Sequence, residues 1–252
     1  KFVGYQTKDP RLAFTIQSDE FKIENSHRNF PLMLFPENLH KKINEFFNNG
    51  TLEIKSLRFE GSLEQLKKIK SDENKDRITT EIYFRDIDWR SPLPLLKAVT
   101  GSLGYKNGDM FVEIMKARYK GFPLSNIKGT VTNIMKKSLL DLSMKSEVDL
   151  GELNRFLKKS IKGQSFENII DDYQEVKGKG LIEAKLQGPP NDKENISIRV
   201  ILFAKNASFF DAELQSQVKN FNGKLHFNYV PLNSQSRQNL TAPIVEAKNL
   251  SG

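Results

Sequence analysis

The chain of 252 residues has no cysteine, one tryptophan and only three histidines. Without cysteine, thiol catalysis, disulfide scaffolds and thiolate-bound zinc or iron–sulfur centres are excluded. Compartment is left open, because cytosolic and periplasmic proteins can both lack cysteine. His27, His40 and His226 lie far apart with no second histidine at ligand spacing, so no metal site is expected. There is no apolar run of about 18 residues, so no segment reads as a membrane-spanning helix. No segment of it reads as a secretory leader either. The chain opens on Lys1 and closes on Leu250-Ser251-Gly252 after a strand-like run. It is therefore expected to be an internal part of a longer protein.

Catalytic signatures are equally scarce. No G-x-S-x-G elbow and no phosphate-binding glycine loop occurs; Gly178-Lys179-Gly180 reads as a turn entering a strand. The acids Asp86, Asp88, Asp171 and Asp172 read as solvated side chains. No catalytic residue and no cofactor is expected. Lys and Arg outnumber Asp and Glu 39 to 31, for a net charge of +8. The densest cation pairs, Lys67-Lys68, Lys136-Lys137 and Lys158-Lys159, are scattered and interrupted by acids. No nucleic-acid partner is expected from that pattern. Lysine on strand edges blocks edge pairing, and attraction to anionic head groups is a second use for the excess.

What the sequence does have is short apolar runs between turns, and 18 phenylalanines. Arg11–Gln17 and Glu20–Glu24 read as a hairpin about Ser18-Asp19. Pro36–Asn48 reads as an amphipathic helix with Leu39, Ile43, Phe46 and Phe47 on one face, closed by Asn49-Gly50. Thr51–Phe59 and Arg77–Trp89 alternate as strands, with a charged, exposed loop or short turn, Glu64–Lys75, between them. A meander follows: Val99–Tyr105, Met110–Tyr119, Ile127–Asn133 and Ser138–Val148, with turn signals at Asn107-Gly108 and at 120–123. Leu140, Leu142, Met144 and Ser146 face one way. Asp149 reads as the N-cap of a helix ending at Gly163, with Glu152 three residues on. A short helix at 165–170 follows, then strands at Gly180–Leu186, Asn195–Ala204 and Ala212–Tyr229. The absence of βαβ alternation makes the fold mostly antiparallel β with a few helices. Met110, Val112 and Ile114 on one face of their strand oppose Phe111, Met115 and Tyr119. Strands that are apolar on both faces need a covering helix or an apolar partner.

Two segments share a plan in which an apolar residue enters a glycine and then an alternating strand. They are Leu95–Gly108 and Val218–Tyr229. The first continues through Ala117, Tyr119, Gly121, Pro123 and Leu124 to Ile127-Lys128-Gly129-Thr130-Val131. With Val99, Gly101, Leu103 and Gly108, these residues resemble the repeat of the AsmA-like superfamily of bacterial envelope proteins, of the larger YhdP/TamB type. Val148-Asp149-Leu150-Gly151-Glu152-Leu153 and Gly178–Gly188 are similar to later parts of that repeat. The resemblance runs from about Phe35 to the end.

The resemblance implies a twisted open β-groove, taco-shaped in section, that carries phospholipid acyl chains between inner and outer membranes and supports outer-membrane integrity. It also implies a periplasmic location, a parent anchored in the inner membrane and envelope proteins as partners at either membrane. Candidate lining residues on the period-two faces are Ile78, Ile82, Phe84, Val112, Ile114, Ile198, Val200 and Leu202. The expected organisation is an N-terminal β segment over 1–94, with its helix at 36–48. An AsmA-like groove repeat follows over 95–252, with helices within 149–170, in one elongated unit. Two other readings stand beside it. One is a structural or adhesive β-module that binds protein through a closed sandwich. The other is a carbohydrate-active enzyme with two acids about 5–10 Å apart in a cleft.

Overall fold

The computed structural model describes residues 2–3, 10–25, 47–69, 71–90, 95–134, 137–160, 170–190, 192, 195–229 and 241–248. The chain divides into two compact units. Unit 1 comprises Lys1–Leu142 with Gly188–Lys193, and unit 2 comprises Ser143–Gln187 with Glu194–Gly252.

Unit 1 contains β1 (Phe2–Val3), β2 (Arg11–Ile16), β3 (Phe21–Lys22), β4 (Phe47–Asn48), β5 (Thr51–Ser62), β6 (Ile78–Trp89), β7 (Leu96–Lys106), β8 (Asp109–Tyr119) and β9 (Phe122–Thr132). Leu139–Leu142, the start of β10 (Leu139–Asp149), completes it. The strands lie in the order β1-β2-β5-β6-β7-β8-β9-β10, with β3 also on β5 and β4 also on β6. From β5 onward each hairpin connects neighbours, so the meander expected from the turn signals is observed. The Asn107-Gly108 turn has positive φ at both residues, as its tight geometry requires.

Three local expectations change. Arg11–Gln17 and Glu20–Glu24 do not form a hairpin: β2 and β3 both pair with β5, through Ile16↔Leu57 and Phe21↔Leu52. Ser18 bridges the interval, its hydroxyl accepting from Ile54 N–H and its own N–H donating to Ile54 O, both at 3.1 Å. The apolar set Leu12, Phe14 and Ile16 gains more by lying along Gly61, Phe59 and Leu57 than by folding back on a short neighbour. Residues 36–46 of the expected helix lie outside the described residues. Its last two, Phe47 and Asn48, are strand and pair with Trp89 and Asp88, because Phe47 stacks into the rings of Phe84 and Trp89 at 6.4 and 5.4 Å. The charged stretch after β5 holds a short helix, α1 (Leu63–Lys67). It begins at a reciprocal cap in which Gln65 N–H donates to Ser62 Oγ and Ser62 N–H donates to Gln65 Oε1.

Unit 2 contains the rest of β10, then α2 (Leu150–Ser160), β11 (Tyr173–Gly188), β12 (Ser197–Asp211), β13 (Ser216–Tyr229) and β14 (Thr241–Lys248). Their order is β10-β11-β12-β13-β14. Leu140, Leu142, Ser146 and Val148 are buried in alternation along β10, with Met144 half-buried, as the sequence predicts. Asp149 caps α2, its Oδ1 accepting from Glu152 N–H at 2.9 Å. Gly163, and 165–169 of the expected second helix, lie outside the described residues. β13 begins later than expected. Asp211 Oδ1 accepts from the N–H groups of Glu213 and Leu214 and turns the chain there.

The fold is mostly antiparallel β with few helices, in open order, and β2 does not pair with β10 among the described residues. Among those residues no helix is long and apolar enough to cross a membrane.

Candidate functional site

The strands put their apolar residues on one face of each unit because paired residues in a sheet point the same way and alternate along the strand. In unit 1 the register produces three straight rows. The first is Leu57–Thr80–Tyr105–Met110–Val131 and the second is Ile54–Ile82–Leu103–Val112–Gly129. The third is Leu52–Phe84–Gly101–Ile114–Ile127. Phe14, Phe59 and Ile78 extend the same face. Five of the eight candidate residues, Ile78, Ile82, Phe84, Val112 and Ile114, therefore share one surface.

Period two alone does not carry this face to the far ends of the strands. Beyond the third row, Asn49, Asp86, Ala98 and Asn126 adopt positive φ. Asp86 and Ala98 each add a residue to their strand in the manner of a β-bulge, and β8 gains one between Ile114 and Lys116, where the register shifts at Thr100/Gly101. Register shifts at Phe84/Ile87 and Lys97/Thr100 mark two of them. The extra residues reverse the parity, so Ile87, Trp89, Leu96, Ala117 and Phe122 return to the apolar face beside Val99, which keeps the parity of Gly101, and all six are buried. Tyr119 pairs with Leu96 and Phe122 and joins them. It does not lie opposite Ile114, as simple alternation predicts. Phe111 and Met115 do stay on the other face and are exposed.

Burial varies along the face. Phe84 and Ile114 are 1% exposed, and the Phe47, Phe84 and Trp89 rings pack edge to face around that level. Ile78, Ile82, Leu103 and Met110 are half-buried. The face is thus sealed around Phe84 and Ile114 and partly open at Ile78, Ile82, Leu103 and Met110, with Leu57, Phe59 and Val131 buried beside them. In the partly open part Tyr105 donates to Lys75 O at 3.3 Å. Burial, with the charges of Asp109, Asp72 and Asp76 behind it, holds its phenol above the usual range.

In unit 2 Ile182, Leu202 and Leu225 form one row, and Ala184–Val200 and Leu186–Ile198 continue the same face. The other three candidates, Ile198, Val200 and Leu202, lie here. They are half-buried, and Leu225 is 39% exposed. At one end α2 seats its Leu150 side chain over Gly180, where an added Cβ would meet Leu150 Cδ2 at 2.8 Å. A second set of irregular positions, Glu175, Gly178, Asn206 and Asn220, lies along β11, β12 and β13 where their registers shift. Leu12, Ile54, Leu57, Leu103, Ile127, Ile182 and Leu225 also belong to these faces. Their alternation is visible in each strand, but which strands lie side by side, and in what register, is not.

The family model described as YhdP protein matches residues 2–247. No curated protein and no solved structure matches the chain. The match spans nearly the whole sequence and agrees with the open antiparallel meander. The chain belongs to the YhdP family of AsmA-like envelope proteins.

Proposed function

We propose that this chain binds phospholipid acyl chains on the apolar faces of its two units. In this reading it is a non-enzymatic segment of an envelope protein that conducts lipid between inner and outer membranes and supports outer-membrane integrity. It works in the periplasm. The parent is anchored in the inner membrane and meets envelope proteins at either membrane. The observation that supports the reading best is the alignment of apolar rows that stay half-open at Ile78, Ile82, Leu103 and Met110 in unit 1 and at Ile198, Val200 and Leu202 in unit 2. Half-open apolar surface gains about 0.8 kcal/mol for each methylene it buries, and an acyl chain supplies many in a row. Family membership supports the same reading at the level of an envelope protein.

The test is native mass spectrometry of the purified chain with lipid extraction. Ile82 and Val200 are the positions to change, because both are half-buried. Val112, at 7% exposure, is too buried to take a charge without loss of fold. Stoichiometric phospholipid, lost in Ile82→Asp and Val200→Asp variants that keep their melting temperature, is the expected result. A bare protein mass together with no uptake of a fluorescent acyl probe overturns the proposal.

A further inference from the structure

The face of unit 2 opposite Ile182, Leu202 and Leu225 has a charge pattern that the acyl-binding reading does not use. Four successive rows can be read from the register: Lys179–Lys205, then Leu181–Phe203–Lys224, then Glu183–Ile201–His226, then Lys185–Arg199–Asn228. Two of these rows place like charges directly opposite one another, an arrangement that destabilises a sheet. Lys179, Lys205, Arg199 and Lys224 are exposed. Among the residues whose side chains the structure describes, Lys179, Lys205 and Arg199 are in no ion pair. The acids near them are few. Glu183 is taken by Lys145 at 2.9 Å, Glu147 is exposed on β10, and Glu246 stands opposite Lys224 in register. Between the two cation rows lie Leu181, Phe203 and Ile201, all half-buried. Lys224 holds its ammonium 5.2 Å above the Phe203 ring.

We propose that this face docks on the surface of a bilayer containing anionic phospholipid. The spacing argues for a surface rather than a single bound anion. From Lys179 to Lys185 the strand advances six residues, roughly 20 Å at about 3.3 Å per residue. Two cation pairs that far apart do not converge on one phosphate, but they match charge spread over a plane. Long lysine and arginine stems reach such a plane while Phe203 and Ile201 meet its apolar boundary. Each cation near an anionic leaflet contributes about 1 kcal/mol, weakened by salt. The like-charge rows, unfavourable in the isolated sheet, gain counter-charges on docking. An acidic protein partner would present carboxylates at fixed positions, whereas half of the six residues between the cation rows, Leu181, Phe203 and Ile201, are apolar and suit the boundary of a bilayer.

The experiment is co-sedimentation of the whole chain with vesicles of phosphatidylcholine, alone or mixed with phosphatidylglycerol, over a range of salt. The variant is Lys205→Glu with Arg199→Glu. Each change turns a like-charge pair into an opposite one, so loss of binding is not loss of fold. Binding to the mixed vesicles that falls with salt, and weakens by at least roughly thirtyfold in the variant, is expected from two cations at about 1 kcal/mol each. Equal binding by both proteins overturns the proposal, as does equal binding to phosphatidylcholine alone. Retention on immobilised polyglutamate without vesicle binding overturns it in favour of an acidic protein partner. Acyl-probe uptake is expected to be unchanged in this variant, so the two proposals fail separately.

Discussion

Gly101 and Gly104 lie three residues apart on β7, and the structure assigns them opposite sensitivities. Gly101 stands in the row between Phe84 and Ile114. A Cβ there would overlap the Glu113 carbonyl oxygen and lie 2.9 Å from Ile114 Cα and 3.0 Å from Glu113 C. All three are backbone atoms, so no rotamer change relieves the overlap. Overpacking costs about 1–3 kcal/mol, and rigid neighbours put this site near the upper end. At Gly104 a Cβ would meet Thr80 O at 3.6 Å and Phe111 Cβ at 3.8 Å, ordinary contacts. There the smaller entropy of the unfolded alanine chain stabilises by about 0.4–1 kcal/mol. Gly101→Ala should therefore lose about 3 kcal/mol, or about 6–12 °C in Tm for a chain of this size. Gly104→Ala should be neutral or slightly stabilising. Urea titration followed by tryptophan fluorescence is the assay. Trp89 is the only tryptophan, and it is buried against Phe84, the register partner of Gly101. If both variants shift the midpoint by the same amount, β8 does not cross β7 as closely as described, and the argument fails.

Ala98 holds φ 49°, a left-handed conformation that costs a non-glycine residue about 1–2 kcal/mol. Glycine recovers part of that but gives back some unfolded-chain entropy, so Ala98→Gly should raise stability by about 0.5–1 kcal/mol in the same titration. Asp149→Ala removes the cap of α2 and should cost about 1 kcal/mol, read as faster amide exchange confined to the first turn of that helix. Tyr105 and Tyr173 both have phenols raised above 10.0, first by burial and then by nearby acids. The unfolded chain therefore loses these protons first, and the stability they contribute is complete below pH 10.0 and falls as pH climbs through the folded values. Replacing both with phenylalanine should flatten the alkaline limb of a Tm-versus-pH curve, and an unchanged limb would count against burial as the cause.

The sequence carried the strands well wherever alternation was clean. β6, β8 and β10 fall within a residue or two of where the pattern puts them, and the apolar side of β10 reads straight from Leu140, Leu142 and Ser146. The Asp149 cap was legible because its oxygen and the Glu152 amide are set by local spacing alone. Three features were not. Pairing of β2 with β5 depends on which distant strand offers Phe59 and Leu57, and no local signal records that. The switch of Tyr119 to the apolar face depends on an extra residue in the strand, and nothing in Met115-Lys116 announces it. α1 was hidden because its reciprocal Ser62–Gln65 cap looks like part of a charged loop. The candidate residues fell on common faces because each shares the parity of its strand's apolar set. Their degree of burial came from the ring cluster and the bulges instead.

Within each unit the long strands pair almost wholly with their neighbours in the chain, and this has a kinetic consequence. The turns at 107–108 and 120–121 close with two residues each, so their loops cost little entropy. Low contact order of this kind favours fast formation, and each completed hairpin offers an edge on which the next strand condenses. A chain of this design can fold vectorially from its N-terminal end, one strand at a time. The exception is the return of β2 to β5, across residues 17–50. That closure must wait for β5, and a chain paused before residue 51 would leave the apolar residues Leu12, Phe14 and Ile16 of β2 without their partner strand.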